Sequence, residues 1–241
     1  MARPQGVVIV SPRFWAFAHV DGTVHEGEMP SAAATRARRI PLLRGLARLA
    51  ASLTPLARGR GVAGTRERLV LLLALAAPVL AYFAPTAAQM PIALAATLGL
   101  LVWLFRGRTL HLHGAEHRAI AATEEGALLA AWTGTARPSR FARRCGTNFA
   151  ALALPVALLA QTFWPVPLGA VATPVLASLL SLALTMELWQ VVQGSSGVAS
   201  RVLLAPGLAL QRLTTREPSL DETQTALTAV ASVLRREFDS R

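Results

Sequence analysis

The stretch VPLGAVATPVLASLLSLALTM, residues 166–186, runs without a charged side chain up to Glu187. A helix needs about 17–25 mostly apolar residues to cross a bilayer, so this stretch reads as part of a membrane span over about 166–190. Three further stretches are alike, at about 69–84, 88–105 and 149–165. Several sit near the lower length limit, which predicts thin or tilted spans. The chain has 241 residues, of which 53% are hydrophobic and only 15% charged, with a mean hydropathy of +0.45. An ordinary soluble domain carries about a quarter charged residues. The fold class expected is an all-α membrane protein with about four transmembrane helices, amphipathic or re-entrant helices and a small N-terminal β element. Residues 1–35 would form that β element and a linker, and residues 36–241 a membrane domain.

All 24 basic side chains are arginine, against 13 acidic ones, for a net charge of +11. They fall in 1–35, 36–68, 106–148 and 201–241, and none lies in the apolar stretches or the short connections at Pro85–Met90 and Trp164–Pro167. Positive charge collects on the cytoplasmic side of a membrane. This predicts an inner-membrane protein with both termini, a 106–148 loop and a 201–241 tail in the cytoplasm. The expected partners are the bilayer and its anionic head groups. Alternation of arginine with apolar spans explains the charge more simply than a nucleic-acid partner. The first fifteen residues lack the pattern of a signal peptide, and one cysteine, Cys145, excludes an internal disulfide.

Val7–Val10 and Phe14–Val20, followed by Asp21-Gly22 and Thr23-Val24, predict a hairpin within residues 6–26. Residues 27–39 read as a polar linker. Leucines at 42, 43, 46, 49, 53 and 56 interleave with Arg44, Arg48 and Arg58, as in a helix lying on an anionic leaflet or packed on the bundle. Tyr82, Trp103, Trp164 and Trp189 fall near span ends, where aromatic anchors collect. Val202–Leu210, broken by Pro206-Gly207, reads as interfacial or re-entrant. Asp221–Phe238 reads as an amphipathic helix.

Chemistry concentrates in His113-Gly-Ala-Glu116-His117. Two histidines four apart on a helix lie about 6 Å apart, close enough to share one divalent ion, most simply zinc. His-x-x-Glu-His is the inverted zinc-protease pattern, in which the glutamate serves as general base; a hydrogen-bonded pair of interfacial histidines has the same sequence. Glu124 lies on the same helix face but about 10 Å further along, too far to share the ion. A third ligand must come from elsewhere. Glu187, at the end of an apolar run, is placed slightly ahead of Cys145, whose arginine neighbours favour the thiolate.

Gly114–Arg118, Arg144–Thr147 and Leu210–Pro218 resemble the three signature blocks of the YqhQ family, bacterial membrane proteins of unknown function described as predicted metal-dependent enzymes. Pro41 through Gly45 resembles the family's Pro-x-x-Arg-Gly segment, and Glu124 and Glu187 match family glutamates. The chain departs from the pattern at Ala142-Arg143, where His-Pro is usual, and at Gln5–Val10, which lacks the usual glutamate and arginine. The resemblance implies a polar site that also includes Thr147, Gln211, Thr214, Thr215 and Glu217. The resulting expectation is metal-dependent hydrolysis at the cytoplasmic face. His113, His117 and either Glu187 or Cys145 would hold metal, Glu116 would act as base, and Arg144 would neutralise an anionic substrate. The alternatives are a non-catalytic scaffold or assembly factor and, less favoured, a small transporter using Glu187.

Overall fold

A computed structural model describes residues 1–30, 40–59, 61–82, 84–104, 106–164, 168–169 and 172–240. Most of the expected linker, residues 31–39, lies outside them. Four strands open the chain: β1 (Ala2–Arg3), β2 (Gly6–Val10), β3 (Phe14–His19) and β4 (Val24–Glu28). They pair in sequence order as an antiparallel meander, with Val8 opposite Phe17 and Phe17 opposite His25. The Asp21 carboxylate closes the β3–β4 turn by accepting from the Thr23 amide at 2.8 Å and hydroxyl at 2.7 Å. The β element is therefore a four-stranded sheet, extended beyond the expected hairpin on both sides.

Ten helices follow among the described residues: α1 (Leu43–Ser52), α2 (Thr54–Arg58), α3 (Thr65–Tyr82), α4 (Thr86–Leu104), α5 (Thr109–Glu124), α6 (Leu128–Trp132), α7 (Gly146–Thr162), α8 (Ala172–Gly194), α9 (Val198–Thr214) and α10 (Leu220–Asp239). Alternation along the strands lets the sheet bury both faces. Val7 joins Leu112, Ala115 and Ala119 of α5 and Ala226, Leu227 and Val230 of α10 in one core. Val8, Trp15 and Phe17 form a second with Val62 on the other face. The expected cytoplasmic loop 106–148 thus contains α5, a helix deep in the first core. The start of α10 is fixed by a capping box, in which Ser219 and Glu222 each accept from the other's amide.

The expectation of about four transmembrane helices is corrected. Among the described residues only Val175–Gly194 of α8 is long and apolar enough to cross a membrane. Gly146–Ala160 and Ala87–Leu100 are apolar but shorter. Fifteen residues at 1.5 Å rise span about 22 Å, against a hydrocarbon core of about 30 Å. Counting charge-free residues overestimated span length, because the apolar runs include turns and helix ends. The run at 149–165 leaves the helix after Thr162, and the first turn of α3 carries Arg66, Glu67 and Arg68. With one candidate span, the alternation that assigned the loop and both termini to the cytoplasm has no four spans to rest on.

Two smaller expectations also change, and one open choice is resolved. The break expected at Pro206-Gly207 is absent: α9 runs unbroken through Pro206. Trp189 is no interfacial anchor, being 9% exposed and packed edge-on against Phe149 at 6.0 Å. Of the two places left open for α1, the structure has it packed on the helices: its arginines turn toward α8. Arg44 Nε donates to both Glu187 oxygens at 2.8 and 3.0 Å, and Arg48 bonds Gln190.

Helices α7, α8 and α9 share a core of Leu152, Trp189, Val192 and Leu204. Gly207 sets the α7–α9 spacing, since a Cβ there would lie 2.5 Å from the Cα of Asn148. Overpacking at such a contact costs about 1–3 kcal/mol. Gly207→Ala is therefore expected to lower Tm by several degrees, at about 2–4 °C per kcal/mol for this chain length. Gly99→Ala, where a Cβ meets open space, should leave Tm unchanged or raise it. Equal effects of the two substitutions in a thermal melt would overturn this packing argument.

Candidate metal centre

His113 and His117 lie one turn apart on α5, on the side away from the Leu112–Ala115–Ala119 core. Their ring centroids are 4.5 Å apart. Each ring has its Nδ1 at a backbone carbonyl: Thr214 O at 2.8 Å for His113 and Arg140 O at 2.8 Å for His117. A carbonyl can only accept, so each Nδ1 carries a proton; Nε2 keeps a lone pair in the neutral ring and donates in the charged one. The sulfur of Cys145 stands 3.2 Å from His113 Nε2. One ligand atom from each of His113, His117 and Cys145 lies within 4.8 Å of the others, and all three residues are buried.

Cys145 immediately precedes the first residue of α7. Its sulfur accepts from the Thr147 hydroxyl at 3.1 Å and, at 3.4 Å, from the Thr147 amide, as a capping group at a helix N-terminus does. Burial alone would push its thiol up. Hydrogen bonds from His113 and His117, with their charge, outweigh that and bring it down to about 5. Burial likewise opposes charge on His113, yet the Cys145 sulfur and Glu116 raise its pKa. Glu116 is partly buried, which works against its ionisation. The Met1 ammonium, 2.6 Å from Glu116 Oε1, and the two imidazoles still hold its carboxyl below the usual range.

The loop carrying Cys145 is held by Gln211, which is fully buried in α9. Its amide donates to Ala142 O at 2.7 Å and Asn148 Oδ1 at 3.0 Å, and its oxygen accepts from the Ala142 amide at 2.9 Å. Asn148 donates in turn to Ala142 O and Arg143 O. The chain leaving α9 crosses α5 at Gly114, where a Cβ would fall 2.2 Å from Arg216 O; only glycine admits this approach. The crossing brings the Thr214 carbonyl to His113. It also brings Glu217 to Arg118, whose Nη2 donates to Glu217 Oε1 at 2.7 Å and whose Nε donates to Pro138 O at 3.1 Å. Thr215 is buried, with its hydroxyl on Gln211 O at 2.7 Å.

Residues 104–236, more than half of the chain, match the family described as Protein of unknown function (DUF1385). The chain belongs to that family. The DUF1385 region starts just before α5 and contains His113, His117, Cys145 and Gln211, while the sheet and Arg44 lie outside it. The chain matches no curated protein and no solved structure.

Several expected site residues stand apart from the centre. Glu187, expected slightly ahead of Cys145 as third ligand, is held by Arg44 and by the Leu42 amide at 3.2 Å. Its carboxylate is satisfied by a cation already, and the side chain that stands with the two histidines as a possible third ligand is Cys145. Arg144 points outward, 74% exposed, 3.5 Å from the equally outlying Glu124. It does not face the centre. Thr147, Gln211, Thr214, Thr215 and Glu217 support the centre or its surroundings. Sequence reading gave no role to Arg118, Asn148 or the Arg140 carbonyl. Arg118 lay inside a recognised block, but nothing in the sequence singled out the other two.

In metal-free protein the thiolate should persist well below the ordinary thiol range of about 8.5. Its ultraviolet absorbance is expected to disappear as the pH falls through about 5, because the sulfur then takes up a proton. His113→Asn removes a hydrogen bond and a charge that favour the thiolate, so the midpoint should move up. An unchanged midpoint in that variant would show that the imidazole does not hold the thiol down.

Proposed function

We propose that this DUF1385 protein is a membrane-associated metal-dependent hydrolase whose metal is held by His113, His117 and Cys145. The observation that carries the reading is the pair of imidazoles with both Nδ1 protons committed to backbone carbonyls, and an Nε2 facing the Cys145 sulfur. Ordered outer partners of this kind fix tautomer and orientation at metal sites. Two nitrogens and one thiolate suit zinc, and three protein ligands are the catalytic number, with the fourth position open. Tetrahedral zinc distances imply ligand separations of about 3.3–3.7 Å, close to the 3.2 Å between His113 Nε2 and Cys145 Sγ. Bound zinc would supply Lewis acidity. Glu116 beside the histidines would accept a proton. The resemblance to the YqhQ family agrees with this reading. The long apolar stretch of α8 supports the membrane association.

A second reading rests on the same short contact. With no metal, the Cys145 thiolate and His113 form a nucleophile–base pair, and the low thiol pKa favours it.

Metal analysis separates the two. Protein purified without chelator is expected to carry close to one zinc per chain. Cys145→Ala and the His113→Ala, His117→Ala pair should lose it, since affinity falls steeply with an incomplete ligand set. Glu187→Gln and Glu116→Gln should keep it. Folded wild type that takes up neither zinc nor cobalt would sink the metal reading and favour the thiolate pair. The membrane part of the proposal requires that the chain stay with the membrane fraction through an alkaline wash; release would refute it.

A further inference from the structure

We infer that the outer face of α9 is a docking surface for a bilayer carrying anionic lipid. The helix is two-sided in an unusual sense. At 3.6 residues per turn, Ser200, Leu204, Gly207 and Gln211 share one face, and all four are buried against the rest of the protein. The opposite arc carries Val198, Val202, Leu210 and Leu213, which are 66%, 64%, 42% and 69% exposed. Four large apolar side chains on one open helix face form a contiguous patch of the kind that marks an interaction surface.

Charge identifies the occupant. Taking Val198 as 0°, the exposed apolar positions fall between 0° and about 120°, while Arg212 and Arg201 fall together at about −40° and −60°. The two arginines, eleven residues apart, therefore line one edge of the apolar arc. Both are exposed, and neither pairs with an acid among the described residues. From Leu188 to Arg216 the chain has no acidic residue at all. An apolar face edged by arginine and free of carboxylates fits the boundary between acyl chains and anionic head groups. Helix α1, which carries the same residue types, does not offer this surface, because Arg44 and Arg48 are spent on Glu187 and Gln190. Moreover, α9 follows directly on α8, whose Val175–Gly194 stretch is long enough to cross a membrane. The surface is thus tethered where lipid is at hand.

The full chain, reconstituted in vesicles of phosphatidylcholine with or without phosphatidylglycerol, tests this. A single cysteine is placed at Val202 or Leu213, with Ala231 on the exposed side of α10 as control, and labelled with an environment-sensitive fluorophore. The wild-type chain, whose Cys145 is buried, is the labelling blank. Brominated acyl chains should quench the probe at 202 and 213 several-fold more than at 231. Quenching should be stronger with phosphatidylglycerol, and a paired Arg201→Ala, Arg212→Ala change should remove that difference. Amide exchange of wild-type residues 198–214 should slow in the same vesicles, which needs no substitution. Quenching at 202 and 213 no greater than at 231 would overturn the inference. So would equal quenching with and without the anionic lipid, or protection that instead follows chain concentration, the mark of a second copy as occupant. Neither readout involves metal, so this result and that of the metal proposal are independent.

Discussion

Two buried imidazoles each present a donor that must find an acceptor, and in this molecule both acceptors are main-chain carbonyls from distant segments. An unpaired donor at such a depth costs about 1–3 kcal/mol. Satisfying both requires the end of α9 to lie against His113 and the 138–142 segment to lie against His117. Once these contacts are made, neither ring can rotate, and the Nε2 of His113 is left facing the Cys145 sulfur. The geometry of the centre is in this sense a by-product of main-chain bookkeeping.

The backbone approaches that deliver those carbonyls depend on missing side chains. At Gly114 the segment leaving α9 passes over α5 with its carbonyl where a Cβ would be, and at Gly207 helix α7 presses its own backbone against α9. Gln211 then ties α9 to the segment carrying Cys145 by three hydrogen bonds from a side chain with no exposure. Two glycines and one amide do the positioning, while the apolar residues around them supply the burial.

Much of this could be read from the chain, and the failures have a common cause. The hairpin around Asp21-Gly22, the histidine pair and the amphipathic last helix are local patterns, and local patterns survive folding. The choice between Glu187 and Cys145 was not local. It turned on whether Arg44, over a hundred residues before Glu187, would reach that carboxylate first. The span count failed for a related reason: absence of charge says nothing about where a helix begins or ends, and α7 stops at Thr162, inside the run at 149–165. The Arg140 carbonyl was beyond reach of any sequence argument, since every residue has one and only tertiary packing selects which is used.

The contact between His113 and Thr214 joins residues 101 apart in the chain. At a synthesis rate of about 5–20 residues per second, the histidine helix emerges some 5–20 s before the segment that fixes its first ring. During that interval His113 is free to rotate and to exchange protons with solvent. The centre therefore cannot be complete until the segment after α9 has been made, in a nascent chain that already carries its most apolar helices.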